Sequence, residues 1–399
     1  MYPLRLIRLK LANKLFPLIL FQFSSFAIPW LITIWLTYQS GLAQAGEFSF
    51  ALAIISPLCI LLAVPSRNFL LTESKAAPLA AHSRFSLMFI GFLISISFGI
   101  YFNSPLLFAA LFLFKSTELL FDIPISLAIR KAEINRLWRL SIMKWLIIIQ
   151  LSLVGFYTNN ISLTFILGAL LFIFFTTLKS KKQNVIKDGW PLIKLISTSA
   201  PLGLSTLIFA IHFNLPRYLL GIFGQQELLA IYSISSFIIM ASIVFINIYI
   251  QSKLPFFKDN IVKRCDVFQK EQIKVAYIVF GVFIVIQMFN FPLLSESFWA
   301  IHNNVQLERD EYSDLFTLVL FLAWGPISFS IANYFLIISG QHKSLVIITI
   351  INTLFTYVIC YLGYKFFNVT TMLISYNFGC IMQCFAVYLF FTKKNILNE

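Results

Sequence analysis

The order of apolar and polar positions divides the 399-residue chain into about twelve hydrophobic runs with short polar breaks between them. The runs fall near 17–38, 46–66, 85–102, 105–128, 140–157, 161–178, 200–221, 228–250, 275–293, 315–338, 345–364 and 369–391. Each approaches the roughly 20 apolar residues that a helix needs to cross a bilayer. The runs are continuous and do not alternate between apolar and polar residues, which predicts helices and excludes a β-barrel. Twelve spans leave only short connections and no room for a soluble domain.

The second half of the chain echoes the first. Phe26-Ala27-Ile28 recurs as Phe209-Ala210-Ile211, and Gly41 recurs as Gly224, both at an offset of 183. After one extra residue, Phe48-Ser49-Phe50-Ala51 meets Tyr232-Ser233-Ile234-Ser235 at an offset of 184. Duplicated membrane bundles are how transporters build a cavity between pseudo-symmetric lobes. The expected fold is therefore an all-α integral membrane protein, with twelve transmembrane helices in two six-helix lobes around a central cavity. Residues 1–178 form the first lobe, with an amphipathic start at 1–14. A basic linker covers 179–198, and 199–399 form the second lobe.

Composition agrees, with 59% hydrophobic and 12% charged residues. The net charge of +14 invites a nucleic-acid reading, but its distribution removes it. Of 30 Lys and Arg, 26 fall in alternate breaks, from Arg5–Lys14 and Arg67–Arg84 through Arg130–Lys144 and Lys179–Lys194 to Lys253–Lys274 and the C-terminal end. The long break at 295–314 instead carries Glu296, Glu308, Asp310, Glu311 and Asp314. This is the positive-inside pattern, and it predicts cytoplasmic termini. The basic start, Leu4-Arg5-Leu6-Ile7-Arg8-Leu9-Lys10, is followed by no small-residue cleavage site. It reads as an amphipathic piece on the inner leaflet leading into an uncleaved first span.

Catalytic and metal chemistry find little support. The chain has no Walker A sequence and no Gly-rich phosphate loop. His82, His212, His302 and His342 are dispersed, and Cys380 and Cys384 have no His or carboxylate neighbour in sequence. No catalytic constellation, cofactor or metal is expected, so the chain reads as a transporter and not an enzyme.

Polar residues inside spans are costly in hydrocarbon and mark cavities or mutual partners. In the fourth span, Lys115, Glu118 and Asp122 share one helical stripe. Either Lys115 and Glu118 neutralise each other in packing, or the stripe is a cavity wall with a titratable carboxylate for ion coupling. In the seventh span, Arg217 aligns with Ile34, deep in the first span, and Asn214 and His212 precede it. A lone Arg at that depth costs about 2.5–3.5 kcal/mol on insertion scales, so it needs water, a carboxylate or an anion. The alternative is a snorkelling Arg. His212 is either part of that polar site or a helix-contact residue. Arg67, at the inner end of the second span, is either a headgroup anchor or a rim charge.

The stretches Ser199-Ala200-Pro201-Leu202-Gly203-Leu204, Asn214-Leu215-Pro216-Arg217-Tyr218-Leu219-Leu220-Gly221 and Glu227-Leu228-Leu229-Ala230-Ile231-Tyr232-Ser233 resemble the start of the second lobe in Wzx-type polysaccharide flippases. The first lobe carries its own version in Gly41 and Ala45-Gly46-Glu47-Phe48-Ser49. One departure is Pro216, where many relatives have Asp; it removes a local partner for Arg217. The family belongs to the multidrug/oligosaccharidyl-lipid/polysaccharide (MOP) exporter superfamily.

The resemblance implies a flippase in the bacterial inner membrane that carries a polyprenyl-pyrophosphate-linked oligosaccharide, an O-antigen or capsule unit, from the cytoplasmic to the outer leaflet. Arg67, Lys115, Arg217, His212 and Asn214 would then meet pyrophosphate or glycan, with Glu118 and Asp122 available for ion coupling. It implies membrane lipid, a polysaccharide polymerase and chain-length machinery as partners, and a protein working as a monomer. The rival is a multidrug or cation exporter of the same superfamily, which calls for acidic residues dominating the cavity.

Overall fold

The structure, a computed structural model, describes residues 2–62, 77–131, 133–158, 160–178, 192–259, 318–319, 321–338 and 341–396, with isolated positions 270, 273, 274, 277 and 281. Among the described residues all regular structure is helical. The helices are α1 (Tyr2–Ser40), α2 (Leu42–Leu62), α3 (Ala77–Tyr101), α4 (Pro105–Leu120), α5 (Asp122–Arg130), α6 (Ile134–Thr158) and α7 (Ile161–Leu178), then α8 (Leu192–Phe213), α9 (Leu215–Ile222), α10 (Gln226–Asp259), α11 (Trp324–Ile338), α12 (His342–Phe366) and α13 (Val369–Ile396). Seven stretches of the described chain are long and apolar enough to cross a membrane.

That number falls short of twelve partly because proline interrupts spans. The fourth span is α4 and α5, separated at Phe121 and followed by Pro124. The seventh is α8 and α9, separated at Asn214 and followed by Pro216. In the tenth, Leu322 and Ala323 form a turn before α11, whose third residue is Pro326. Proline lacks the N–H of the helical ladder and its ring crowds the carbonyl four residues back, so a run of correct length splits just before it. Pro326 thus starts a helix where the pattern of apolar residues predicts a bend inside one. The ninth span apart from positions 277 and 281, the acidic break at 295–314, and Arg67 lie outside the described residues.

The internal repeat is visible in the backbone. Gly41 (φ 92°) joins α1 to α2, and Gly224 (φ 73°) joins α9 to α10. They are the only described glycines at positive φ, a region open to glycine at no steric cost. The matched pairs that follow also share burial: Phe48 with Tyr232, and Ser49 with Ser233, are all buried.

Two compact units divide the chain: Met1–Leu31 with Ala51–Ala210, and Ile32–Phe50 with Ile211–Glu399. In the first, α4 packs on α3 and α7. Its core is aromatic, with Phe114 against Phe165 at 5.0 Å and Phe172 at 5.5 Å, and Phe121 against Phe172 at 5.0 Å. Gly91 on α3 allows that approach, since a Cβ there would strike Phe112 and Leu62. In the second, α12 and α13 pack along their length, and α11 lies on α13. Gly379 makes room there for the Thr356 side chain.

Outward faces are apolar. Phe85, Phe89, Leu93 and Ile94 of α3, and Ile347, Ile351, Leu354, Val358 and Leu362 of α12, are exposed at helical spacing. Water would not tolerate stripes of this size on a soluble monomer; lipid does.

Candidate functional site

In the first unit, α4 carries Lys115 and Glu118 one turn apart, as their spacing requires. Lys115 Nζ donates to Glu118 Oε2 at 2.9 Å. A second cation meets the same carboxylate: Lys144 of α6 forms an ion pair with Glu118 Oε1 at 2.7 Å. Lys144 is 1% exposed, Glu118 7% and Lys115 13%. Two ammonium groups against one carboxylate leave the triad with one positive charge.

The α1 backbone supplies the remaining partners. Lys115 Nζ donates to Ser25 O at 3.3 Å. That carbonyl is the one whose helical partner would be residue 29, and Pro29 has no N–H to give. Lys144 Nζ donates to Ser25 Oγ and to Phe21 O, the latter at 3.4 Å, and lies 4.3 Å from the Phe21 ring centre. Ser141 Oγ donates to Pro17 O and Trp145 Nε1 to Leu20 O, which seat α6 along α1.

A second fully buried cation stands at the broken turn. Arg84 of α3, 2% exposed, donates from Nη1 to Leu119 O at 2.6 Å, next to the break at Phe121. Asp122 begins α5 directly after that break. Among the described residues no ion pair to Asp122 is present.

The sequence places Arg84 and Lys144 among loop charges, and the structure corrects this. Helices α3 and α6 begin at Ala77 and Ile134, ahead of the apolar runs at 85 and 140, so both residues lie well past the first helical turn. A signal for Lys144 did exist. Leu137, Leu140, Ser141, Lys144, Ile147, Ile148 and Leu151 recur at three- and four-residue spacing and are all buried. Helical periodicity puts Lys144 on the packed face, whereas the pattern of basic residues counts it with the break before the span.

In the second unit, Arg217 follows the break at Asn214. Its Nη1 donates to Asn214 Oδ1 at 2.9 Å and its Nη2 to Ser236 Oγ at 2.8 Å. Its Nε is buried without a hydrogen-bond partner. Among the described residues no carboxylate pairs with it. Asn214, expected to meet ligand, accepts from and orients the guanidinium.

His212 is fully buried. Its Nδ1 lies 3.2 Å from Thr353 Oγ1 and its Nε2 3.3 Å from Cys380 Sγ. The ring stacks on Phe329 with centroids 4.1 Å apart and planes 4° from parallel. One side chain on α8 thus ties together α11, α12 and α13. Nearby, Gln383 Nε2 donates to Asn333 Oδ1 at 2.9 Å and Thr349 Oγ1 at 3.2 Å, a polar layer that joins the same three helices.

The fourth and tenth spans, equivalent in the two halves, are both broken just ahead of a proline, and the seventh is broken beside Arg217. Interrupted spans at matching places in the two halves are the backbone feature that marks substrate sites in repeat-built transporters. Arg84 stands beside the break in the fourth span and Arg217 beside that in the seventh.

The chain's overall likeness is to solved transporters. It matches the inward-facing conformation of a multidrug resistance MATE family transporter of the MOP superfamily with a TM-score of 0.62 at 15% identity, covering 94% of this chain and 95% of that one. It matches MATE in the straight conformation at 0.63 and 14%, and MATE in complex with MaD3S at 0.65 and 14%, each covering 97% of this chain and 96% of the other.

The fold is a MATE transporter fold.

No described protein family matches the chain by sequence, and no curated protein does so either. The MATE fold carries a twelve-helix, two-lobe, multi-pass membrane architecture, and these neighbours are transporters, not enzymes.

Proposed function

We propose that this chain is a flippase for a polyprenyl-pyrophosphate-linked oligosaccharide, moving it from the cytoplasmic to the outer leaflet of the bacterial inner membrane. The observation that supports this most is the cationic balance of the helix interiors. Residue order alone counts two bases and two acids there; among the described residues the helix interiors hold Arg84 and Lys144, both buried, and Lys115 and Arg217, partly buried, against buried Glu118 and partly buried Asp122. A pyrophosphate crossing hydrocarbon needs charge-assisted donors, because an uncompensated anion is excluded from it. Arg217 has a spare buried donor and no carboxylate neighbour among the described residues, and Lys115 belongs to a triad with one surplus positive charge.

The roles divide accordingly. Arg217 and Lys115 meet the anion, Asn214 orients Arg217, and His212 holds the second unit's helices. Arg67 retains its sequence-based place as a rim charge. For ion coupling Asp122 is better placed than Glu118, both of whose oxygens already face ammonium groups. With the interior negative, carrying two negative charges outward gains roughly 4.6 kcal/mol at 100 mV, so the membrane potential alone can drive the step. The cycle is alternating access, with cytoplasmic termini, membrane lipid around a monomer, and a polysaccharide polymerase and chain-length machinery taking the product.

The second reading is a multidrug exporter, favoured by the MATE neighbours, one of which is described as a multidrug resistance transporter. An excess of interior cations over acids among the described residues opposes a cationic drug as cargo. Deleting the gene tests the proposal: lipid-linked glycan should accumulate on the cytoplasmic face, and Arg217→Ala should fail to relieve it. Normal glycan export in the deletion strain would contradict it.

A further inference from the structure

We infer that Lys144 is the standing counter-ion of Glu118, and that it frees Lys115 to exchange Glu118 for a phosphate-type oxygen, making the triad a single-charge anion site. This deepens the reading above and rests on an anionic cargo.

The two lysines share one carboxylate but not one environment. Three oxygens surround the Lys144 ammonium: Glu118 Oε1 at 2.7 Å, Phe21 O at 3.4 Å and Ser25 Oγ. Two of its three donors go to Phe21 O and Ser25 Oγ, and Glu118 Oε1 lies against the ammonium as an ion pair. The Phe21 ring covers another side at 4.3 Å, and the side chain is 1% exposed. Lys115 has two acceptors, Glu118 Oε2 at 2.9 Å and Ser25 O at 3.3 Å, and is 13% exposed. Its exposure, against 1% for Lys144, gives it the path to solvent or ligand that Lys144 lacks. When Lys115 swings to an anion, Glu118 does not become an isolated buried charge, because Lys144 still neutralises it. Without Lys144, the same movement would strand the carboxylate in the unit's interior as an uncompensated charge.

Charge arithmetic makes the idea asymmetric and testable. Lys144→Gln leaves a neutral Lys115–Glu118 pair that holds Lys115. Lys144→Gln with Glu118→Gln releases Lys115 again. Lys115→Gln leaves the neutral Lys144–Glu118 pair, and adding Glu118→Gln frees only a lysine that ligand does not reach.

The experiment uses the full chain in nanodiscs, with inorganic pyrophosphate, farnesyl pyrophosphate and farnesol as probes and titration calorimetry as the readout. Thermal unfolding of each variant confirms that it is folded. Wild type should bind both pyrophosphates and not farnesol. Tighter farnesyl than inorganic binding assigns the site to a lipid headgroup, and equal binding assigns it to free phosphate. Lys144→Gln and Lys115→Gln should each weaken binding by about tenfold or more, in line with a lost charge-assisted contact. Only the Lys144→Gln/Glu118→Gln pair should return to near wild-type affinity. Equal rescue by Lys115→Gln/Glu118→Gln would show that bulk charge matters and overturn the exchange. So would unchanged binding in Lys144→Gln, or no pyrophosphate binding in wild type. A protein that flips glycan lipid without this asymmetry loses the triad and keeps the flippase reading; the reverse result separates them the other way.

Discussion

Lys144 of α6 and Glu118 of α4 form an ion pair of 2.7 Å in which neither side chain is more than 7% exposed. Lys115 takes the carboxylate's other oxygen at 2.9 Å. One negative charge therefore serves a buried and a partly buried positive one, and the consequences for stability are direct.

Glu118→Gln removes the only ion-pair partner that either lysine has among the described residues. Breaking a buried pair from one side costs about 3–5 kcal/mol, since it leaves charge uncompensated. The unfolding midpoint in detergent should fall sharply. The Glu118→Gln/Lys144→Gln variant, with one charge fewer to compensate, should recover most of the loss.

His212→Ala should lower stability by about 2–5 kcal/mol, because it opens a space in the packed interior and leaves Thr353 and Cys380 without the imidazole nitrogens they face. The folded fraction should still transport, because the ring's partners are other helices. Detergent unfolding together with export per folded molecule measures both.

The two linker glycines should behave alike. Gly41→Ala and Gly224→Ala meet no neighbouring atom within 4 Å, so their cost is backbone strain alone, about 1–2 kcal/mol each. Paired unfolding curves check this, and the double variant should lose close to the sum.

Arg217→Ala should abolish glycan export with little change in the unfolding midpoint, while Arg217→Lys should retain part of it, since a lysine keeps the charge and loses the two-point grip on Asn214 and Ser236. Ser236→Ala should lower export less than Arg217→Ala, because the guanidinium still donates to Asn214. Accumulation of lipid-linked glycan on the inner face reports all three.

Most of the scaffold is legible in residue order because membrane spans declare themselves by length and continuity. The repeat is legible too, since Gly41 and Gly224 mark the same backbone turn in each half. The breaks are half legible: Pro124, Pro216 and Pro326 announce an interruption, but residue order does not distinguish a bend from a turn with a new helix. The candidate site is the least legible part. Lys115, Glu118 and Arg217 stand out as charges inside apolar runs. Arg84 and Lys144 lie at or just inside run ends, where a basic residue ordinarily marks a loop. Their burial comes from helices that begin a turn or two early and from partners on other helices, Leu119 O for Arg84 and Glu118 for Lys144.

The central claim is that the cargo is an anionic glycan lipid. Proteoliposomes with an inside-negative potential, loaded in separate runs with a fluorescent polyprenyl-pyrophosphate oligosaccharide and with a cationic dye, test it most directly. The account predicts that the glycan lipid crosses to the outer leaflet with wild type and not with Arg217→Ala, and that the dye stays inside. Export of the dye while the glycan lipid remains on its original leaflet would contradict it.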